Sequence, residues 1–200
     1  MDGWTSTGES RMYRLQAFST VFILATVASA QPPDVKPRFD VLHNAEFYRQ
    51  DTPQETLKSV VAAIGRDRFD YVIAHLFEPS YVNVRLSTTQ SYFDRVAAGQ
   101  VAQTAGGRQL QGAELQARIQ LVGTSLNVKQ LADQIRQKIT EEPDNLKDLK
   151  RFAREGLFMD IGDTATATLP DIKGRAIYFK KVEGRWFLEN RKQELPAAKE

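Results

Sequence analysis

The chain has 200 residues, of which 42% are apolar and 26% charged, so it is neither wholly disordered nor membrane-like throughout. Its formal net charge is only +2, which gives no concentrated basic surface for nucleic acid. Cysteine is absent and there are two histidines, His43 and His75, which excludes disulfides, thiol catalysis and Cys-rich zinc sites.

Residues 15–27 form an apolar run, LQAFSTVFILATV, preceded by Arg11 and Arg14 and followed by Ala28-Ser29-Ala30. A basic flank, a short apolar core and a small-residue exit describe a secretory signal, with cleavage expected between Ala30 and Gln31. Residues 1–30 are therefore expected to be a signal peptide, and the mature chain to be secreted or periplasmic, off the membrane once cleaved. A start at Met12 would give a more compact signal with the same features. A membrane-spanning helix needs about 20 apolar residues, more than this run supplies.

Residues 31–50 carry Pro32, Pro33 and Pro37 without a clear period, and are expected to be an extended linker. The single folded domain is expected over residues 51–192, with a frayed tail at 193–200. Thr52-Pro53-Gln54-Glu55 has the pattern of a capping box with proline at the first helical position. Leu57, Val60, Val61 and Ile64 then repeat at helical spacing, and Gly65 is expected to end the helix. A second helix is expected from Asp67, through Phe69, Val72, Ile73 and Leu76, with a stop at Glu78-Pro79-Ser80. Together they predict a helical hairpin.

The alternation of Val82, Val84 and Leu86 predicts a short strand over residues 81–87. Residues 91–98 suit a short helix, and the Gly- and Gln-rich stretch 99–112 a loop. Residues 113–122 and 128–139 are helical by spacing. Pro143 opens another helix, with Leu146, Leu149, Phe152 and Ala153 on its buried face. From Leu157 the period changes to two. Strands are expected at residues 157–161, 164–169, 176–181 and 185–190, with Glu183-Gly184 as a hairpin turn. The fold class is thus α+β: an N-terminal helical hairpin on a C-terminal antiparallel meander, with a helical middle insertion.

The opening DTPQETLKSVVAAIGRDRFDYVIAHL, the segment GDTATATLP and the ending IYFKKVEGRWFLEN resemble bacterial members of the nuclear transport factor 2-like superfamily. That resemblance implies a curved, cone-like sheet. It implies no single activity, because such folds host enzymes and binding modules alike.

Four residues are candidates for acid–base chemistry. Asp160 and Asp163 flank Gly162 and would form a carboxylate pair, or else are ordinary turn acids. Tyr71 and His75, at i and i+4, would form a relay facing a pocket, or else a pair at the sheet edge or in solvent. Tyr178, Trp186 and Phe187 are candidates for an apolar ligand cleft, or else core aromatics. No phosphate loop, nucleophile elbow or zinc-binding helix motif is present, and no cofactor or metal is expected. The leading expectation is a non-catalytic binding or interaction domain for a small molecule or an envelope protein. A small cofactor-independent isomerase, dehydratase or hydrolase is the second, and a homodimer the third.

Overall fold

The computed structural model describes residues 37–104, 110–172 and 174–191. The expected signal peptide, the first part of the linker and the expected tail lie outside the described residues.

The described part of the expected linker folds against the domain instead of trailing from it. Phe39 and Asp40 both take positive φ, and the chain reverses so that Arg38 and Val41 exchange backbone hydrogen bonds of 3.2 and 3.0 Å. The Arg38 guanidinium then donates to the carbonyls of Ala74 and Pro79 and to Asn83 Oδ1, which ties the turn down. Val41, Tyr48 and Gln50 are buried.

Helix α1 spans Pro53–Gly65 and starts as its sequence predicts. Glu55 N–H donates to Thr52 Oγ1 at 3.1 Å, and the Thr52 hydroxyl lies 3.4 Å from the Glu55 carboxylate. It ends at Gly65 as expected, and the reversal follows two residues later. Asp67, not Gly65, takes the left-handed conformation, with φ 58°. Asp67 N–H donates to the Ile64 carbonyl and Arg68 N–H to the Ala63 carbonyl, the two bonds of a Schellman closure. Aspartate tolerates that backbone better than most side chains.

The second helix is short and unusual. Helix α2 is Phe69–Tyr71, and it widens at once into a π-helical turn over Val72–Leu76. Phe77 N–H closes that turn on the Val72 carbonyl, five residues back. Every residue from Tyr71 to Leu76 is at most 2% exposed, so the turn is packed on all sides.

The second helical segment does stop before Glu78-Pro79-Ser80, at an extended Phe77, but Pro79 also begins helix α3, Pro79–Thr104, which was not expected. The expected strand at residues 81–87 lies inside it. Glu78 explains the start: its carboxylate accepts from Tyr81 N–H at 2.7 Å and from the Ser80 hydroxyl at 2.6 Å. Val82 and Leu86 are buried while Val84 is 67% exposed, which is helical spacing rather than alternation. Helix α4, Gly112–Glu141, is continuous where two helices were expected. It runs antiparallel to α3. Gly123 brings the helices close, and a Cβ there would lie 3.2 Å from Asp94 Cα. Buried Asn127 fastens the pair: its amide donates to the Leu86 carbonyl and accepts from the Thr89 hydroxyl.

Helix α5, Pro143–Glu155, leads into four strands: β1 Leu157–Ile161, β2 Thr164–Thr168, β3 Ala176–Val182 and β4 Arg185–Glu189. They pair in sequence order, every neighbour antiparallel, so the fold is α+β with a four-stranded meander. Glu183 and Gly184 both take positive φ, which suits a tight hairpin turn to the twist of its strands. Ala165, Ala167, Phe179 and Trp186 pack with Leu57 of α1 and Phe152 of α5. Val60, Ala63 and Ile64 of α1 join a second cluster with the π-helical turn, α3 and α4. Helix α1 therefore belongs to both halves of the core. The opposite sheet face carries the three threonines of β2 and leaves Leu157, Met159 and Ile161 of β1 61–74% exposed.

Candidate functional site

The structure does not gather the candidate residues into one site. Tyr71 and His75 do meet, with ring centroids 4.9 Å apart, but inside the protein. They are 1% and 2% exposed, not a solvent-facing or edge pair. His43 lies 5.1 Å from His75, and Tyr48 lies 4.2 Å from Tyr71. The four rings come from two elements, the segment 37–50 and the α2 and π-helical turn.

Hydrogen bonds fix each ring. His75 Nε2 is 2.8 Å from the Val41 carbonyl oxygen, so that nitrogen must carry a proton and donate. The Tyr71 hydroxyl accepts from Asn44 N–H at 3.1 Å and donates to the Asn44 carbonyl at 3.3 Å. Arg185 Nη1 lies 3.2 Å from His43 Nε2, which must accept. Gln50 donates from its amide to the His75 and Trp186 carbonyls, at 2.9 and 2.7 Å.

The electrostatics keep this cluster uncharged apart from Arg185. Burial lowers the pKa of His75 to about 4, against the opposing hydrogen bond to Val41; His43 and Arg185 add to the lowering. Burial and then Arg185 lower that of His43, while the Gln50 side chain opposes them. Burial raises that of Tyr71. At neutral pH both imidazoles are neutral and the phenol is protonated. The arrangement works as a clasp holding segment 37–50 on the π-helical turn.

Asp160 and Asp163 are exposed at the β1–β2 turn, remote from that cluster. The Asp163 carbonyl accepts from Lys181 N–H of β3, a backbone bond that extends the β2–β3 ladder and leaves the carboxylate in solvent. Trp186 is 4% exposed and belongs to the core against α1 and α5. Phe187 is 2% exposed on the other sheet face, 5.1 Å beneath the Arg185 guanidinium.

Tyr178 alone of the three aromatic candidates lines a cavity of about 650 Å³. Its floor is the end of the β3–β4 hairpin, with Ile177, Tyr178 and Leu188. Its walls are Tyr81 and Arg85 of α3, Leu131, Ile135 and Lys138 of α4, and Leu149 of α5. The sequence held a signal for these walls: the helix expected at residues 128–139 carried that of α4, while the strand expectation at residues 81–87 hid that of α3. Tyr81 and Arg85 are four apart, and Leu131, Ile135 and Lys138 sit at i, i+4 and i+7. Each set shares one face only if both segments are helical.

Among the described residues no group of three or more His, Asp or Glu could hold a metal ion, and no helix is long and apolar enough to cross a membrane. Comparison with family models, with curated proteins and with solved structures gave no match.

Proposed function

We propose that the protein is a secreted or periplasmic binding domain without catalytic chemistry, and that its ligand enters the cavity between α3, α4, α5 and the β3–β4 hairpin. The observation that carries this reading is the cavity itself. Its volume of about 650 Å³ falls within the range of about 300–1,000 Å³ usual for small-molecule sites, and its walls are mainly apolar. The signal pattern of residues 15–30 supports export. In this reading the meander is the curved wall of a cone-like fold, and α1 with α2 forms its helical hairpin.

For an enzyme using the same interior, none of the four acid–base candidates reaches the cavity, and the one carboxylate among the described residues that lines it, Glu189, is paired with Arg191. Tyr71 and His75 are instead engaged with Val41 and Asn44, and Asp160 and Asp163 face solvent. Replacing Asp160 and Asp163 by Asn should change stability by less than about 0.5 kcal/mol, as for exposed residues without partners.

Native mass spectrometry of the protein isolated from its own envelope or secreted fraction tests the reading. A mass beginning at Gln31 with an added small molecule is expected, and Ile135→Trp, which fills the cavity, should lose the added mass. A chain still carrying residues 15–27 would overturn the export proposal. A bare chain from every preparation would count against the small-molecule reading.

A further inference from the structure

We infer that the ligand class is a single-chain amphiphile with an anionic head, its chain in the apolar cavity and its head held by Arg85 and Lys138. This rests on the binding-domain reading and adds the chemistry of the ligand.

Three cations line the cavity against a single carboxylate: Arg85, Lys138 and Arg191 against Glu189. Arg191 is already committed. It lies 3.0 Å from the Glu189 carboxylate and 5.1 Å from the centre of the Tyr178 ring. Among the described residues Arg85 reaches only the neutral Gln134 side chain, at 3.5 Å. Lys138 has no carboxylate partner among the described residues. The basic residues nearest to it on α4 do: Lys129 pairs with Asp133, and Arg136 with Asp67 and Asp133. Two uncompensated cations therefore stand at the mouth, one on each of the antiparallel helices α3 and α4.

Behind them the surface is apolar, with Phe77, Leu131, Ile135, Leu149, Ile177 and Leu188. Apolar surface left open in a concave site favours an apolar occupant. The occupant that satisfies wall and rim together has a hydrocarbon body and a negative end. A guanidinium offers a planar fork that matches a carboxylate or a phosphate, and an ammonium adds a mobile point charge. A cationic amphiphile would bring a third positive charge to the mouth, and a neutral one would leave both cations without a partner. Exposed charges at a rim act mainly through long-range attraction, so affinity should fall as salt rises.

The test is calorimetric titration of the intact protein with four matched probes, each below its critical micelle concentration. They are dodecanoate, dodecyl phosphate, dodecyltrimethylammonium and 1-dodecanol. The two anions should bind about tenfold or more tightly than the cation, with affinities that weaken in salt. Combined Arg85→Gln and Lys138→Gln should bring the anions to within about threefold of dodecanol. Both residues are exposed, so the variant should melt at the parent temperature. Ile135→Trp should weaken all four probes. A preference for dodecanoate would assign the head to the fatty-acid type, and a preference for dodecyl phosphate to a phosphorylated lipid. Equal affinity for all four heads would overturn this inference and leave the cavity reading standing. Failure of all four to bind would overturn both.

Discussion

His75 Nε2 donates to the Val41 carbonyl oxygen across 2.8 Å, joining the π-helical turn to a segment 34 residues earlier in the chain. The bond needs only the neutral imidazole, since one ring nitrogen donates and the other stays unprotonated. Its pH dependence follows. Burial lowers the folded-state pKa to about 4, below the ordinary histidine value of about 6.5. Between those values the unfolded chain binds the extra proton. The stability contributed by His75 is therefore fully present above pH about 6.5 and lost progressively down to pH about 4. The loss is at most about 3 kcal/mol. His75→Gln keeps a donor for Val41 and removes the titration. Urea unfolding at neutral and mildly acidic pH should show a smaller drop in the variant than in the parent. Equal drops would mean that His75 is not the titrating group.

Tyr71 supplies the second fastening of the same segment, through both backbone groups of Asn44. Tyr71→Phe keeps the ring contacts with Tyr48 and His75 and removes the hydroxyl. The expected cost is about 1 kcal/mol, the net worth of a hydrogen bond in such a setting. Amide exchange should speed up over residues 37–50 and change little along α4. Uniform acceleration across the chain would show that the segment is not held independently.

Glu78 is 5% exposed and does two jobs at the start of α3. It accepts from Ser80 and Tyr81 at the helix start, and Lys180 of β3 lies 3.3 Å from it. Burial works against its charge, but these partners outweigh burial and hold its carboxyl below the usual glutamate range. Its contribution is therefore present at neutral pH and lost as pH falls through the acid range. Glu78→Ala should cost about 2–3 kcal/mol, as the cap and the charged hydrogen bonds go together. A loss below about 0.5 kcal/mol would show that water replaces the carboxylate.

Gly123 is required for close approach, not for backbone freedom. The backbone of Asp94 on α3 leaves little room for a side chain there. Gly123→Leu should destabilise by about 1–3 kcal/mol through overpacking, despite the higher helix propensity of leucine. Thermal melting measures the loss, and ligand affinity reports whether the cavity walls on α3 and α4 have moved apart.

The local chemistry of several elements was legible in residues alone. Thr52-Pro53-Gln54-Glu55 marked the start of α1, Glu183-Gly184 marked a hairpin, and the Ala/Thr alternation of β2 separated its buried face from its open face. These features depend on neighbours within a few positions. The same logic failed where two local patterns overlapped. Val82, Val84 and Leu86 alternate like a strand, yet Val82 and Leu86 are also four apart, and the Glu78 cap with packing against α4 selected the helix. Glu78-Pro79-Ser80 was legible as the end of the preceding segment but not as the start of α3, because proline at the first turn of a helix and proline after the last turn look alike in sequence.

The functional geometry was decided by tertiary structure. Pairing of His43 with His75, the Tyr71 hydroxyl bound to Asn44 and the placing of Arg85 and Lys138 around one cavity all bring together residues far apart in the chain. The sequence by itself determined the α+β class, the C-terminal meander and the residue types available for chemistry. Only the packed chain decided which of those residues became a buried clasp, which stayed in solvent and which came to line the cavity. Burial and partner choice are properties of packing, which spacing along the chain does not carry.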